Sequence, residues 1–269
     1  MKLTLLILFL LFSYSCAHKK SGYHELHKIV QGTHRSQENI IRNTYRHPVE
    51  TLDFFEIKPN HKVVEVNPSG GWYTEILGPY LKDSGELYLA AFSASSKRSY
   101  APRLNAKLKK MTQDKTLFGK IHFTVFEAPD NLGPIAPDNS VDRVLTFRNI
   151  HNWMKDGKAQ EAFKTFFKAL KPGGVLGVVE HRAKPNKKQD PKAISGYVRE
   201  DFVIDLALKA GFEFIAKSEI NANYNDNSNH KKGVWTLPPS LRLGDKNKSS
   251  YLAIGESDRM TIKFIKPLK

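Results

Sequence analysis

The chain has 269 residues, 40% of them hydrophobic and 26% charged, which suits one large folded domain or two small ones and excludes a disordered or fibrous protein. Its 42 Lys and Arg against 27 Asp and Glu leave a formal charge of +15. That excess favours anionic partners, whether membrane surfaces, acidic glycans or nucleic acid, without choosing among them. The single cysteine excludes an intramolecular disulfide, so the domain must be held by its core.

The chain opens on Lys2, an apolar run from Leu3 to Phe12, then Ser13, Tyr14, Ser15 and Cys16 before a polar Ala17-His18-Lys19-Lys20. This is the order of a secretory signal peptide, and the run falls short of the roughly 20 apolar residues that a transmembrane helix needs. Cys16 stands where a bacterial lipoprotein signal places its lipidated cysteine. Ser15 fits that pattern, and Ser13 stands where leucine is usual. The expectation is an exported protein of the cell envelope or periplasm, anchored through lipid on Cys16, with its basic charge drawn to anionic head groups.

Residues 17–35 are rich in His and Lys and read as a tether, and the domain proper is expected over 36–269. Ser36 is a predicted helix N-cap, followed by apolar Ile40, Ile41 and Tyr45, with Val49, Leu52, Phe54 and Phe55 continuing to Lys58-Pro59. Strands and helices then alternate. Strands are predicted at Lys62–Val66, Glu86–Phe92, Ile121–Phe126, Val141–Phe147, Val175–Val179, Phe212–Ser218 and Met260–Ile265. Helices are predicted at Trp72–Leu81, Pro102–Met111, Ala159–Leu170 and Glu200–Ala210. Such alternation gives an α/β fold, a parallel sheet covered by helices on both faces. Two segments interrupt it, a Lys/Pro-rich loop at 184–195 and a long polar insertion at 221–257. Loops of that length are uncommon unless functional. The Lys-rich stretches 184–192 and 231–248 read as solvated loops rather than nucleic-acid sites.

Three motifs carry the chemistry. Val63-Val64-Glu65-Val66-Asn67-Pro68-Ser69-Gly70-Gly71 ends a strand in a carboxylate and runs into a glycine-bearing turn that opens a helix, where backbone N–H groups can meet a ligand. Pro137-Asp138-Asn139-Ser140-Val141-Asp142 and Leu170-Lys171-Pro172-Gly173-Gly174 follow in order. Together they resemble class I methyltransferases. The segments 70–77, 146–153, 177–183, 196–200, 217–223 and 255–260 resemble one bacterial family of predicted methyltransferases. The resemblance implies a Rossmann-like, seven-stranded, mostly parallel sheet with an antiparallel last strand, and S-adenosylmethionine as cofactor. It supplies no acceptor.

The resemblance, with the rule that ligands sit at the carboxyl ends of the strands, places candidate residues. Glu65, Asn67, Ser69, Gly70, Gly71 and Trp72 would hold the methionine and ribose, Glu127 would lie by the adenine, and Arg148 and Asn149 would face the methyl group. His151 and His181 are the candidate bases. Asn152, Trp153, Arg182, Tyr197, Asn221, Asn223 and Trp235 would meet the acceptor. Trp72 or Trp153 would offer a ring face to a sulfonium. Asp226 and His230 lack the spacing of a known metal motif, and no metal site is expected.

The family's second strand ends in an acid that holds the ribose hydroxyls, and here that position is Ala91. Asn67 and Ser69 replace first-loop glycines, although Asn tolerates left-handed backbone. Two functions follow as expectations. One is an S-adenosylmethionine-dependent methyltransferase. The other is an exported envelope binding protein that keeps the fold without methyl transfer.

Overall fold

Aliphatic and β-branched runs bounded by Gly, Pro and Asn become strands, and the amphipathic stretches between them become helices that cover the sheet. The structure, a computed structural model, describes residues 22–268. The signal segment and Cys16 lie outside the described residues. Among the described residues no helix is long and apolar enough to cross a membrane.

Residues 22–30 form a helix, α1, rather than a tether. Leu26 and Val30, one helical turn apart, are buried in a core layer with Val49, Leu52, Ile76 and Leu77. Two apolar residues four apart are enough to dock a short helix, and the His/Lys-rich composition around them hides that spacing. Arg35, also in the expected tether, is buried and donates to the Glu75 carboxylate at 2.6 Å. Ser36 does cap α2 (Gln37–Ile41), its Oγ accepting from the Asn39 N–H. The helical stretch then breaks into α3 (Asn43–Arg46) and α4 (Pro48–Phe54), because His47 is left-handed (φ 38°) and Pro48 starts a new helix.

The remaining order is β1 (Lys62–Val66), α5 (Thr74–Leu81), β2 (Glu86–Ala91), α6 (Ala101–Met111), β3 (Lys120–Val125), β4 (Val141–Phe147), α7 (Ile150–Lys155), α8 (Ala159–Ala169), β5 (Leu170–His181), α9 (Glu200–Lys209), β6 (Glu213–Ser218), α10 (Lys248–Ile254) and β7 (Arg259–Ile265). The strands form one seven-stranded sheet in the order β3-β2-β1-β4-β5-β7-β6. Only β7 runs antiparallel, against both β5 and β6. Side-chain alternation splits the core in two. Val63, Leu87, Leu89, Leu145 and Val179 pack under α1, α4 and α5. Val64, Ala90, Val144, Leu176 and Val178 pack under α7, α8 and α9.

Two further helices, α7 and α10, escaped the sequence reading. α7 has only six residues and no side-chain N-cap of its own. α10 is short and has no buried residue. The 221–257 insertion is correspondingly less loop-like than its composition suggests. It contains a 3₁₀ turn at Gly233–Thr236 as well as α10. It is pinned by the fully buried Asp226, whose carboxylate accepts from Tyr197 Oη, the Ser228 and Asp258 N–H groups and His230 Nε2.

The sheet order reverses between β1 and β4, since β2 and β3 lie to one side and β5, β7 and β6 to the other. Loops leaving β1 and β4 part in opposite directions there, opening a crevice at their carboxyl ends.

Candidate active site

That crevice is a cleft of about 900 Å³, walled by the first loop, α2 and α3, the start of α7, the end of β5 and the 234–242 part of the insertion. Such a volume suits a small-molecule ligand.

The first loop is built on three alternating left-handed positions, Asn67 (φ 47°), Ser69 (φ 53°) and Gly71 (φ 79°). The tight turn therefore survives without glycine at 67 and 69. Asn67 is held in this conformation by its side chain, which donates to the Phe126 carbonyl at 2.7 Å and accepts from Trp153 Nε1 at 3.2 Å. It ties the end of β1 to the segment after β3 and to α7. Ser69, Gly70, Trp72, Arg148 and Asn149 lie on the cleft wall as predicted. Glu65, Asn67, Gly71 and Glu127 do not form that wall. Gly71 is crowded by α6 instead, where a Cβ would meet Met111 Cε at 2.9 Å. Glu127 accepts from the Ser93 N–H and Ser96 Oγ, so its carboxylate organises the loop after β2.

Glu65 sits beneath the turn, 2% exposed, and accepts from Thr74 Oγ1 at 2.7 Å. Burial raises its carboxyl from the ordinary 4.5 to about 7, against the opposing pull of Thr74 and Arg148. The folded chain thus keeps a proton that the unfolded chain releases between pH 4.5 and 7, and stability falls as pH rises through that window. The shift corresponds to roughly 3 kcal/mol, fully felt above pH 7. A Glu65→Gln variant is expected to melt above the wild type at pH 7.5, with the gap closing near pH 4.5. Calorimetric melts across that range check this, and a gap independent of pH contradicts it.

His151 and His181 both reach the cleft, with ring centroids 5.5 Å apart. His151 Nδ1 lies 3.1 Å from Glu180 Oε1 at the end of β5. Glu180 is fully buried and also accepts from the N–H groups of Ile150 (2.6 Å), His151 (3.4 Å) and His181 (2.8 Å). A single carboxylate from β5 thereby caps α7 and orients the histidine on its first turn. This cap comes from 30 residues downstream, which explains why the sequence showed no local one. Burial, then the neighbouring His151 ring and the charges of Arg259 and Arg148, hold His181 well below the ordinary imidazole range, so it is neutral. Its Nδ1 lies 2.5 Å from Ser257 Oγ.

His151, Glu180 and His181 also have donor atoms within 4.8 Å of one another, a grouping that could hold a metal ion and that the sequence reading, which expected none, did not find. The Glu180 oxygens are already engaged by four N–H groups, which favours an orienting role for that carboxylate.

Of the predicted acceptor contacts, Asn152 and Trp235 line the cleft, and Trp235 meets His151 edge-on at 5.8 Å. The others turn away. Arg182 bridges Asp258 and Glu219. Tyr197 donates to Asp226. Asn221 donates to Thr51 and Thr261. Asn223 donates to the Ile254 and Glu256 carbonyls. These four hold the insertion to the sheet rather than meeting a ligand. Of the two tryptophans proposed for a sulfonium, Trp72 lines the cleft beside two guanidiniums, whereas Trp153 is buried and does not line it. Arg35 and Arg46 lie 4.8 and 4.6 Å over Trp72. Trp153 is packed edge-on against Phe126 and Phe166.

Of the cleft's cations, the sequence reading named only Arg148. Glu256 is shared by Arg42 (2.6 Å), Arg46 (3.2 Å) and Arg259, three guanidiniums on one carboxylate. Arg148 at the end of β4 is left-handed (φ 62°), and burial, then Arg259, push its guanidinium down to about 10, so it remains charged at neutral pH. Arg148 was signalled by its place at a strand end, whereas Arg42, Arg46 and Arg259 carry no such local signal.

With the geometry in hand, the comparison with solved structures is decisive for architecture. The fold is that of class I methyltransferases. A SAM-dependent methyltransferase from Aquifex aeolicus superposes with a TM-score of 0.55 at 15% identity, covering 84% of this chain and 92% of that one. One from Methanosarcina mazei gives 0.52 at 14% identity, covering 81% and 98%. A [4+2]-cyclase, SpnF, gives 0.57 at 14% identity, covering 83% and 81%. No family model and no curated protein matches the sequence. Identities this low establish architecture alone, and the cyclase shows that the architecture does not dictate one reaction.

Proposed function

We propose that the chain is an S-adenosylmethionine-dependent methyltransferase in which His151 accepts a proton from the methyl acceptor. The observation that carries this reading is the His151–Glu180 pair, set in the cleft beside the first-loop turn.

The residues present fit the amino-acid end of the cofactor. The left-handed turn at 67–71 brings Ser69 and Gly70 to the wall. Arg46 offers a buried Nη1 with no hydrogen-bond partner to a carboxylate. Glu65 lies under the same turn. Ala91 ends β2 and gives the ribose hydroxyls no acceptor. Losing that charge-assisted contact costs about 1.5–3 kcal/mol, or ten- to a hundredfold in affinity. When bound, the cofactor supplies a methyl group on a positively charged sulfur.

The chain's own part is orientation and proton transfer. With Nδ1–H donating to Glu180, the His151 lone pair is on Nε2 and available to the cleft. A hydroxyl or amine acceptor must lose a proton as it gains a methyl group, and Nε2 can take it while Glu180 stabilises the imidazolium. Neutral His181 shapes the wall beside it without competing as a cation.

Incubation of the protein with tritium-labelled methyl donor and a cell extract tests this directly. Label is expected to pass to an extract component with the wild type, and to fall about a hundredfold or more with His151→Gln at unchanged melting temperature. Equal labelling by both proteins removes His151 from the mechanism.

A second reading, a binding protein that keeps the fold without methyl transfer, is favoured by Ala91. It predicts no labelling with either protein.

A further inference from the structure

Charge is distributed across the cleft very unevenly. Eight Lys and Arg side chains line it against two carboxylates, Asp156 and Glu256. Asp156 is matched by Arg98 at 2.8 Å. Glu256 faces the three guanidiniums already described. Among the described residues, no carboxylate comes within ion-pair distance of Lys107, Arg148, Lys155 or Arg242, so an uncompensated positive charge remains in a concave site.

Three of these unmatched cations line the same cleft as His151. Lys155 lies one turn further along α7 from it. Arg242 stacks 4.6 Å over Trp235, the ring that meets His151 edge-on. Arg148 precedes α7, and among the described residues its guanidinium makes no hydrogen bond or ion pair within the chain, while its backbone is left-handed. A left-handed backbone is costly for a non-glycine residue, and such strain persists where the surroundings fix a functional side chain. Arg259 Nε, also on this wall, is buried without a hydrogen-bond partner. A set of unmatched guanidinium and ammonium donors is complementary to phosphoryl oxygens, which accept several charge-assisted hydrogen bonds at once.

We propose that the side of the cleft around His151 binds a phosphate-bearing ligand, held by Arg148, Lys155, Arg242 and Arg259. This deepens the methyl-transfer reading and rests on it only in making that ligand the acceptor. The same charge has a consequence for the cofactor. A cationic cleft opposes a sulfonium, and an anion bound beside it removes that opposition, so anion and methyl donor are expected to bind cooperatively.

The probe is inorganic pyrophosphate, titrated calorimetrically into the full chain in mild detergent. Saturable binding is expected, weakened about tenfold or more by Arg148→Met and by Arg242→Gln. The exposed, already paired Lys209→Gln serves as an unaffected control. Arg242 is exposed, so its variant remains informative if Arg148→Met fails to fold. Phosphatidylcholine vesicles doped with phosphatidic acid separate two sources of the phosphate. Vesicle binding displaced by pyrophosphate identifies a lipid head group, and pyrophosphate binding without vesicle binding identifies a free phosphorylated molecule. Absence of pyrophosphate binding up to millimolar concentration, or binding unchanged in both variants, overturns the proposal. Titration of S-adenosylhomocysteine into the same samples is independent of it. Its binding without pyrophosphate binding leaves methyl transfer standing and removes the phosphate ligand, and the reverse leaves a phosphate-binding protein.

Discussion

Replacing Glu180 by Ala is expected to lower the melting temperature by roughly 10 °C. Its carboxylate is fully buried and accepts from three backbone N–H groups and from His151 Nδ1. Deletion leaves four donors in a site that water cannot freely reach, and each unsatisfied buried donor costs about 1–3 kcal/mol before relaxation. Allowing for partial repair by waters entering the vacated space, a net loss of about 3–5 kcal/mol is reasonable. At about 2–4 °C per kcal/mol for a chain of this size, that gives the stated shift. The effect should spread to α7, whose first two N–H groups this side chain accepts from, so amide exchange at residues 150–155 should accelerate more than at β1 or β4. Glu180→Gln keeps one carbonyl acceptor and nearly the same volume, so it should retain most of the stability while misorienting His151. The pair of variants separates the structural from the positioning role. A Glu180→Ala melting temperature within about 2 °C of wild type contradicts the account of α7.

What the sequence disclosed follows from how local each interaction is. The alternation around Val63–Val66 and Val141–Phe147 is a property of neighbouring residues, and both strands fall where it places them. α8 was legible for the same reason, its apolar face Ala162, Phe163, Phe166 recurring at helical spacing. The first loop was legible as a turn because Gly71, Ser69 and Asn67 are among the residue types that accept left-handed backbone. α7 was not, since its cap arrives from β5. α1 was not, since Leu26 and Val30 acquire meaning only against α4 and α5.

The site divides along the same line. His151, His181, Arg148, Asn149 and Asn152 follow strand ends, and a strand end faces the crevice wherever the fold is of this type. Arg182, Tyr197, Asn221 and Asn223 carry the same polar chemistry but are spent inside the protein on Asp258, Asp226, Thr51 and main-chain carbonyls. Nothing in residue type separates a ligand contact from an internal pin, because the difference lies in which buried group stands opposite. The cationic wall is drawn from α2–α3, the loop after β2, α6, the ends of β4 and α7, the insertion and β7, seven stretches scattered from Arg42 to Arg259. Only folding brings them to one cavity.

The tension in the account is Ala91. The turn, the cleft and the His151–Glu180 pair support methyl transfer, whereas the end of β2 lacks the acid that grips the ribose. The most direct measurement is calorimetric titration of S-adenosylhomocysteine into wild type and into Ala91→Asp. The account predicts binding by the wild type in the ten to hundred micromolar range, and tightening by ten- to a hundredfold when the carboxylate is restored. No binding by either protein up to millimolar ligand would contradict it, and would leave a methyltransferase fold whose cleft serves another ligand.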